Sequence, residues 1–145
     1  LDACKSGLNA VCNQRVALSE KNAPSDVEKR RQLSRIACDR ADREGCERLG
    51  MVIYKTATTR AQFKQASEKL YFACQAQRPL ACYTLAEMLL IGQFGKTSPS
   101  RARILLDSAC RRGYSRACKR LNQLEQNKQP DTSNETMPRL NTSPR

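Results

Sequence analysis

A chain of 145 residues with eight Cys and neither His nor Trp suits a single folded domain and leaves no room for a second of similar size. The lack of His removes Ser-His and Cys-His nucleophilic sites and His-ligated metal sites, and no run of 18 apolar residues offers a membrane-spanning helix. The residues from Asn127 onward hold three basic and two acidic side chains, so +11 of the net +12 lies in the body before them and favours an anionic partner without choosing one.

In chain order the pattern reads as helices joined by short turns. Leu1-Asp-Ala-Cys4 resembles the last turn of a helix whose body is missing, which implies a removed leader or a trimmed start. A helix is expected over about 12–20, and another over about 26–40, opened by a Ser25-x-x-Glu28 capping box after Pro24. The next two fall at about 46–56 and 60–76, the second opened by Thr59-x-x-Gln62, with Ala66, Leu70 and Ala73 on one face. A helix over about 82–91 ends at Gly92 and Gly95, and one over about 99–112 starts from Ser98 with Pro99 at its first position. In the latter, Ala102, Leu106 and Ala109 share a face. A last helix covers about 118–126. The polar residues 127–145 hold three of the six prolines and are expected to be a disordered tail.

The cysteines form a repeat. They fall at Cys4 and Cys12, Cys38 and Cys46, Cys74 and Cys82, and Cys110 and Cys118, with a separation of 8 in each pair and of 34, 36 and 36 between pairs. A period in the mid-thirties is the signature of a helical-hairpin solenoid. Each first Cys follows an Ala (Ala3, Ala37, Ala73, Ala109), and Leu49, Leu85 and Leu121 stand three residues after the later second Cys. The first Cys of a pair ends one helix and the second begins the next, so a short turn can bring their Cβ atoms within disulfide range. Eight Cys allow 105 connectivities. The repeat favours Cys4–Cys12, Cys38–Cys46, Cys74–Cys82 and Cys110–Cys118, in an oxidising compartment. Reduced, buried cysteines in a cytosolic solenoid are the weaker alternative. Zinc knuckles and redox centres call for Cys-x-x-Cys, which is absent. No metal or other cofactor is expected.

The stretch Leu85-Ala-Glu-Met-Leu-Leu-Ile-Gly92-Gln-Phe-Gly95, followed by Ala102 and by Ala109-Cys110-Arg-Arg-Gly113-Tyr-Ser-Arg-Ala117-Cys118, resembles a Sel1-like repeat. It is most similar to the disulfide-bridged subfamily typified by the Helicobacter cysteine-rich proteins. Leu49-Gly50 and Ala66 recur at the separation of Leu85-Ala86 and Ala102. The resemblance covers residues 1–126, with a truncated or degenerate first unit, and Gln77 stands where the family usually has Gly. It implies an all-α fold, an α/α superhelical solenoid of three to four TPR-like hairpins with one disulfide per repeat. It further implies a periplasmic or secreted protein that binds other proteins in a concave groove built from the first helices. Related proteins include adaptors, toxin-neutralising immunity proteins, weak β-lactamases and a mitochondrial intermembrane-space assembly factor.

Positions three and six residues after the second Cys are apolar and should face the core: Leu49 and Val52, Leu85 and Met88, Leu121 and Leu124. One and five residues after it the chemistry varies: Asn13, Glu47, Tyr83 and Lys119, then Ala17, Met51, Glu87 and Gln123. Variation at equivalent sites marks a candidate partner surface, with Glu47, Met51, Tyr83, Glu87 and Lys119 as its residues and Tyr83 and Met51 as anchors. The expected function is a non-enzymatic, monomeric binding module for a protein partner, an acidic one if the charge is used. A peripheral envelope contact is compatible with that charge. Seven aromatic residues, none alternating with the basic runs, make a poor nucleic-acid surface. The alternatives are an enzyme acting on β-lactams or peptidoglycan, although no Ser-x-x-Lys motif or placed pair of carboxylates supports it, and a mitochondrial intermembrane-space assembly factor.

Overall fold

The computed structural model describes residues 26–136, with side chains described to Asn127. The Cys4–Cys12 pair, the helix over 12–20, Asn13, Ala17 and Ser25 lie outside these residues. Among the described residues there are six helices and no strand: α1 (Val27–Asp39), α2 (Arg43–Thr56), α3 (Arg60–Gln75), α4 (Pro79–Ile91), α5 (Pro99–Arg111) and α6 (Ser115–Thr136). Each packs against its neighbours in the chain, and α2 also touches α4. That succession of local contacts makes an α/α solenoid. In it α2 and α3 form one complete hairpin and α4 and α5 the next; α1 is the second helix of the preceding unit, and α6 is the first helix of the following one.

The second helices α1, α3 and α5 fall where the pattern places them. Thr59 and Gln62 make a reciprocal capping box on α3: the Gln62 N–H donates to Thr59 Oγ1 at 3.2 Å, and Gln62 Oε1 accepts from the Thr59 N–H at 3.1 Å. α5 starts from Ser98 and Pro99 with no side-chain cap bond. On α1 the observed N-cap is Asp26, whose carboxylate accepts from the Lys29 N–H at 3.3 Å. Gly92 ends α4 in the left-handed region at φ 80°.

The first helices α2, α4 and α6 begin at Arg43, Pro79 and Ser115, three residues ahead of the second Cys rather than at it. The turn before each is tighter than a nine-residue ring requires. After α1 the Asp42 N–H donates to Ala37 O and the Ala41 N–H to Cys38 O. The same two bonds recur as Arg78 to Ala73 with Gln77 to Cys74, and as Tyr114 to Ala109 with Gly113 to Cys110. Each turn is therefore a Schellman motif, with its left-handed residue at Ala41 (φ 59°), Gln77 (φ 69°) and Gly113 (φ 89°). Because the motif reverses the chain at once, α2 can start from Asp42, whose carboxylate accepts from the Gly45 N–H at 2.7 Å, and α4 from Pro79 at its first position.

Small residues let the helices meet beside these turns. Ala37 and Gly45, Ala73 and Ala81, and Ala109 and Ala117 are all buried and precede the paired cysteines. A Cβ added at Gly45 would stand 2.5 Å from that of Ala37, so nothing larger than Gly fits this crossing without movement. At such close approach the disulfides Cys38–Cys46, Cys74–Cys82 and Cys110–Cys118 close with Cα–Cα distances of 4.4, 4.7 and 4.7 Å. No described cysteine is free.

The core is built from the expected positions. Leu49, Ala66, Leu70, Ala73, Leu85 and Met88 form one buried cluster, and Ala86, Leu89, Ala102, Leu106, Ala109 and Ala117 another. Leu121 and Leu124 are only half-buried. They belong to α6, over which no further second helix closes among the described residues. α6 also runs to Thr136, past the end expected near 126. Glu125, Gln126, Lys128 and Gln129 are good helix formers, while the repeat pattern stops at Leu124 and says nothing about the residues beyond it.

Candidate partner-binding groove

The start of α4 at Pro79 puts Leu80, Tyr83, Thr84 and Glu87 on one helical face, at spacings of three, four and seven. That face meets α2 on one side and α6 on the other. Toward α2, Thr84 Oγ1 lies 3.4 Å from Met51 Sδ. Arg78, in the turn before α4, donates to Glu47 Oε1 through Nη2 at 2.8 Å and Nε at 3.2 Å. Toward α6, Arg120 Nε donates to Glu87 Oε1 at 2.8 Å. The Arg116 guanidinium stands 5.1 Å from the centre of the Tyr83 ring, whose other neighbour is the Tyr114 ring at 5.4 Å. Three successive first helices are thus laid side by side and tied by side chains across one surface.

Four of the five sequence-selected residues, Glu47, Met51, Tyr83 and Glu87, make contacts across this surface, and the fifth, Lys119, stands on α6 next to Arg120. Glu47 is buried at 7% exposure. Its carboxylate bonds to Arg78 and holds that guanidinium above its ordinary range, against the opposing effect of burial. Glu87 is half-buried in the matching pair with Arg120. Both acids therefore hold one unit to the next. Met51 and Tyr83 are half-buried, and Lys119 is exposed. Met51 packs on the α2–α4 core and Tyr83 on the α4–α6 core, each keeping part of its surface open.

A hollow of about 650 Å³ opens at the α2 end of this surface. Val27 and Arg30 of α1, Met51, Val52 and Lys55 of α2, and Leu80 of α4 line it, with Glu47. Glu47, Met51 and Lys55 follow one another at intervals of four, so one stripe of α2 faces the hollow. Sequence reasoning missed Leu80, Arg78, Arg116 and Arg120. Pro79 was the available signal for Leu80, because proline is favoured at the first position of a helix and an earlier start to α4 brings Leu80 onto the Tyr83 face. The arginines carried no such signal, since pairing between units 31 and 33 residues apart depends on how the hairpins stack.

No family model matches the sequence. No curated protein matches it either. Among solved structures, the chain is similar to the crystal structure of c5321, described as a protective antigen present in uropathogenic Escherichia coli strains displaying an SLR fold. The TM-score is 0.76 at 20% sequence identity, over 83% of this chain and 26% of that one. This chain has the Sel1-like repeat fold. It spans about a quarter of the length of that neighbour. Among the described residues no helix is long and apolar enough to cross a membrane.

Proposed function

We propose that this chain is an extracytoplasmic, non-enzymatic protein-binding module of the disulfide-bridged Sel1-like kind. It presents the face of α2, α4 and α6 to a partner as a monomer, in the role of an adaptor or of a toxin-neutralising immunity protein. The observation that carries this reading is the contrast along the first helices. The core position repeats as Leu49, Leu85 and Leu121, whereas the face changes from Glu47 to Tyr83 to Lys119 and from Met51 to Glu87 to Gln123. Packing asks for the same residue in each unit, and recognition of one partner asks for different ones. Met51 in the lining of the hollow and Tyr83, one turn along α4 from Leu80, are both partly open and suited to be anchors. Three disulfides support an oxidising compartment, and the net charge of +12 supports an acidic partner.

The test is affinity capture from envelope and secreted fractions with the intact protein and with Met51→Ala/Tyr83→Ala. A partner held by the former and lost by the latter, but kept by Lys64→Glu on the exposed side of α3, is the expected result. Capture indifferent to Met51 and Tyr83 would move the binding face elsewhere. Incubation with a chromogenic cephalosporin is expected to leave the substrate intact, and turnover would favour the enzyme alternative.

A further inference from the structure

The face described above has an uneven charge balance. Its two acids, Glu47 and Glu87, are each held at 2.8 Å by an arginine of the same chain. Three of its cations have no carboxylate partner among the described residues: Lys55 beside the hollow, and Arg116 and Lys119 at the start of α6. Arg116 and Lys119 are exposed and sit three residues apart in the first turns of α6, where Arg116 stands over Tyr83 and Arg120, one turn on, reaches α4. The first turn of α6 contains no acidic residue to offset them. The face is therefore positive at both ends. Between the ends it is apolar, through Met51, Val52 and Leu80 in the hollow and the open edge of Tyr83.

Accepting that this face is the binding groove, we propose that it takes an extended, acidic segment of a partner protein. One apolar side chain of the segment enters the hollow over Met51, Val52 and Leu80. Carboxylates on either side of it meet Lys55 at one end and Arg116 and Lys119 at the other. The dimensions set the length. Packed helices lie about 8–10 Å apart, so the crossing from α2 to α6 alone covers roughly 16–20 Å. Lys55 also stands further along its helix than Arg116 does, so the segment is at least about five or six residues of extended chain at about 3.3 Å each. A nucleic acid fits the same cations less well. The Arg116 guanidinium already stands over the Tyr83 ring, with the Tyr114 ring tilted beside it, so little aromatic surface is left for a base to stack on. A lipid surface would be met by a broad apolar helix face, whereas the apolar part here is a recess walled by charged residues.

The experiment pans a displayed random dodecamer library against the intact, oxidised protein at low salt, with a 20-nucleotide single strand and phosphatidylserine-containing vesicles as parallel probes. The expected result is enrichment of peptides with acidic residues flanking one large apolar residue. Binding of a synthesised winner should weaken at least tenfold with Arg116→Glu/Lys119→Glu, and again between 50 and 300 mM salt. The Lys64→Glu control should leave it unchanged. Arg116 and Lys119 are exposed, and an unaltered unfolding midpoint checks that their reversal leaves the fold intact. Winners without acidic bias that still need Tyr83 and Met51 would overturn this inference and leave the proposed function standing. An absence of any winner that depends on the face would overturn both. Binding of the oligonucleotide or the vesicles that is sensitive to Arg116 and Lys119, with no peptide enriched, would assign the cations to those partners instead.

Discussion

At the scale of single residues, the positions that follow each second helix show how the repeat tolerates variation. Ala41, Gln77 and Gly113 occupy one left-handed site, 36 residues apart, and only the last is Gly. A left-handed conformation costs a residue with a Cβ about 1–2 kcal/mol, and Gly gives part of that back through its freer unfolded state. Ala41 and Gln77 are exposed, so replacing them removes no packing. Ala41→Gly and Gln77→Gly should each raise stability by about 0.5–1 kcal/mol in urea titration, and Gly113→Ala should lower it by a similar amount. The Glu47–Arg78 pair makes a second residue-scale prediction. Arg78→Ala strands a buried carboxylate and should cost about 1–3 kcal/mol. The lower part of that range is expected because the Arg78 side chain is 38% exposed and water can enter. Adding Glu47→Gln should recover part of the loss, and no recovery in the double variant would show that the arginine acts by packing alone.

At the scale of elements, the unit of stabilisation is the turn with its disulfide rather than the helix. Each second helix ends in a Schellman motif, a small residue allows close approach, and the paired cysteines lock the crossing. Cys74→Ser/Cys82→Ser opens a ring of nine residues between α3 and α4, and the chain-entropy relation puts the loss at roughly 2–3 kcal/mol. Calorimetry of this variant should show a lower unfolding temperature with the same helical content at 25 °C. A collapse of helicity would mean that the bridge is needed to form the hairpins and not only to hold them. This level was largely legible in the sequence. Alanine before the first Cys, a fixed spacing of eight and capping signals at Thr59 and Ser98 are local facts, and they placed α1, α3 and α5. The first helices start earlier than the second Cys suggests, because Asp42 and Pro79, the residues that start α2 and α4, lie inside the ring.

At the scale of the whole molecule, a solenoid is a chain of neighbour contacts, so protection should follow how many neighbours a helix has. α4 is packed by α3, α5 and α2, whereas α6 leaves Leu121 and Leu124 half-buried. Amide exchange followed by mass spectrometry should therefore be slowest in α4 and faster in α6, most of all beyond Leu124. Equal protection in the two helices would mean that something covers α6 in solution. The proposed binding face is also a property of this scale. No one of α2, α4 and α6 carries the whole lining of the hollow and all three cations, and the face exists only because the hairpins stack in register.

The sequence alone determined the fold, because a period of 36, Ala-Cys pairs and helix caps are set by neighbours along the chain. It also selected Glu47, Met51, Tyr83 and Glu87, which make contacts across one surface. Which of them stay open to solvent was decided by tertiary structure. Glu47 and Glu87 became inter-unit ties because Arg78 and Arg120 swing across from the next unit to within 2.8 Å. Tyr83 stayed partly open beneath Arg116 for the same stacking reason. Charge pairing between repeats depends on distances in space that no spacing along one repeat encodes.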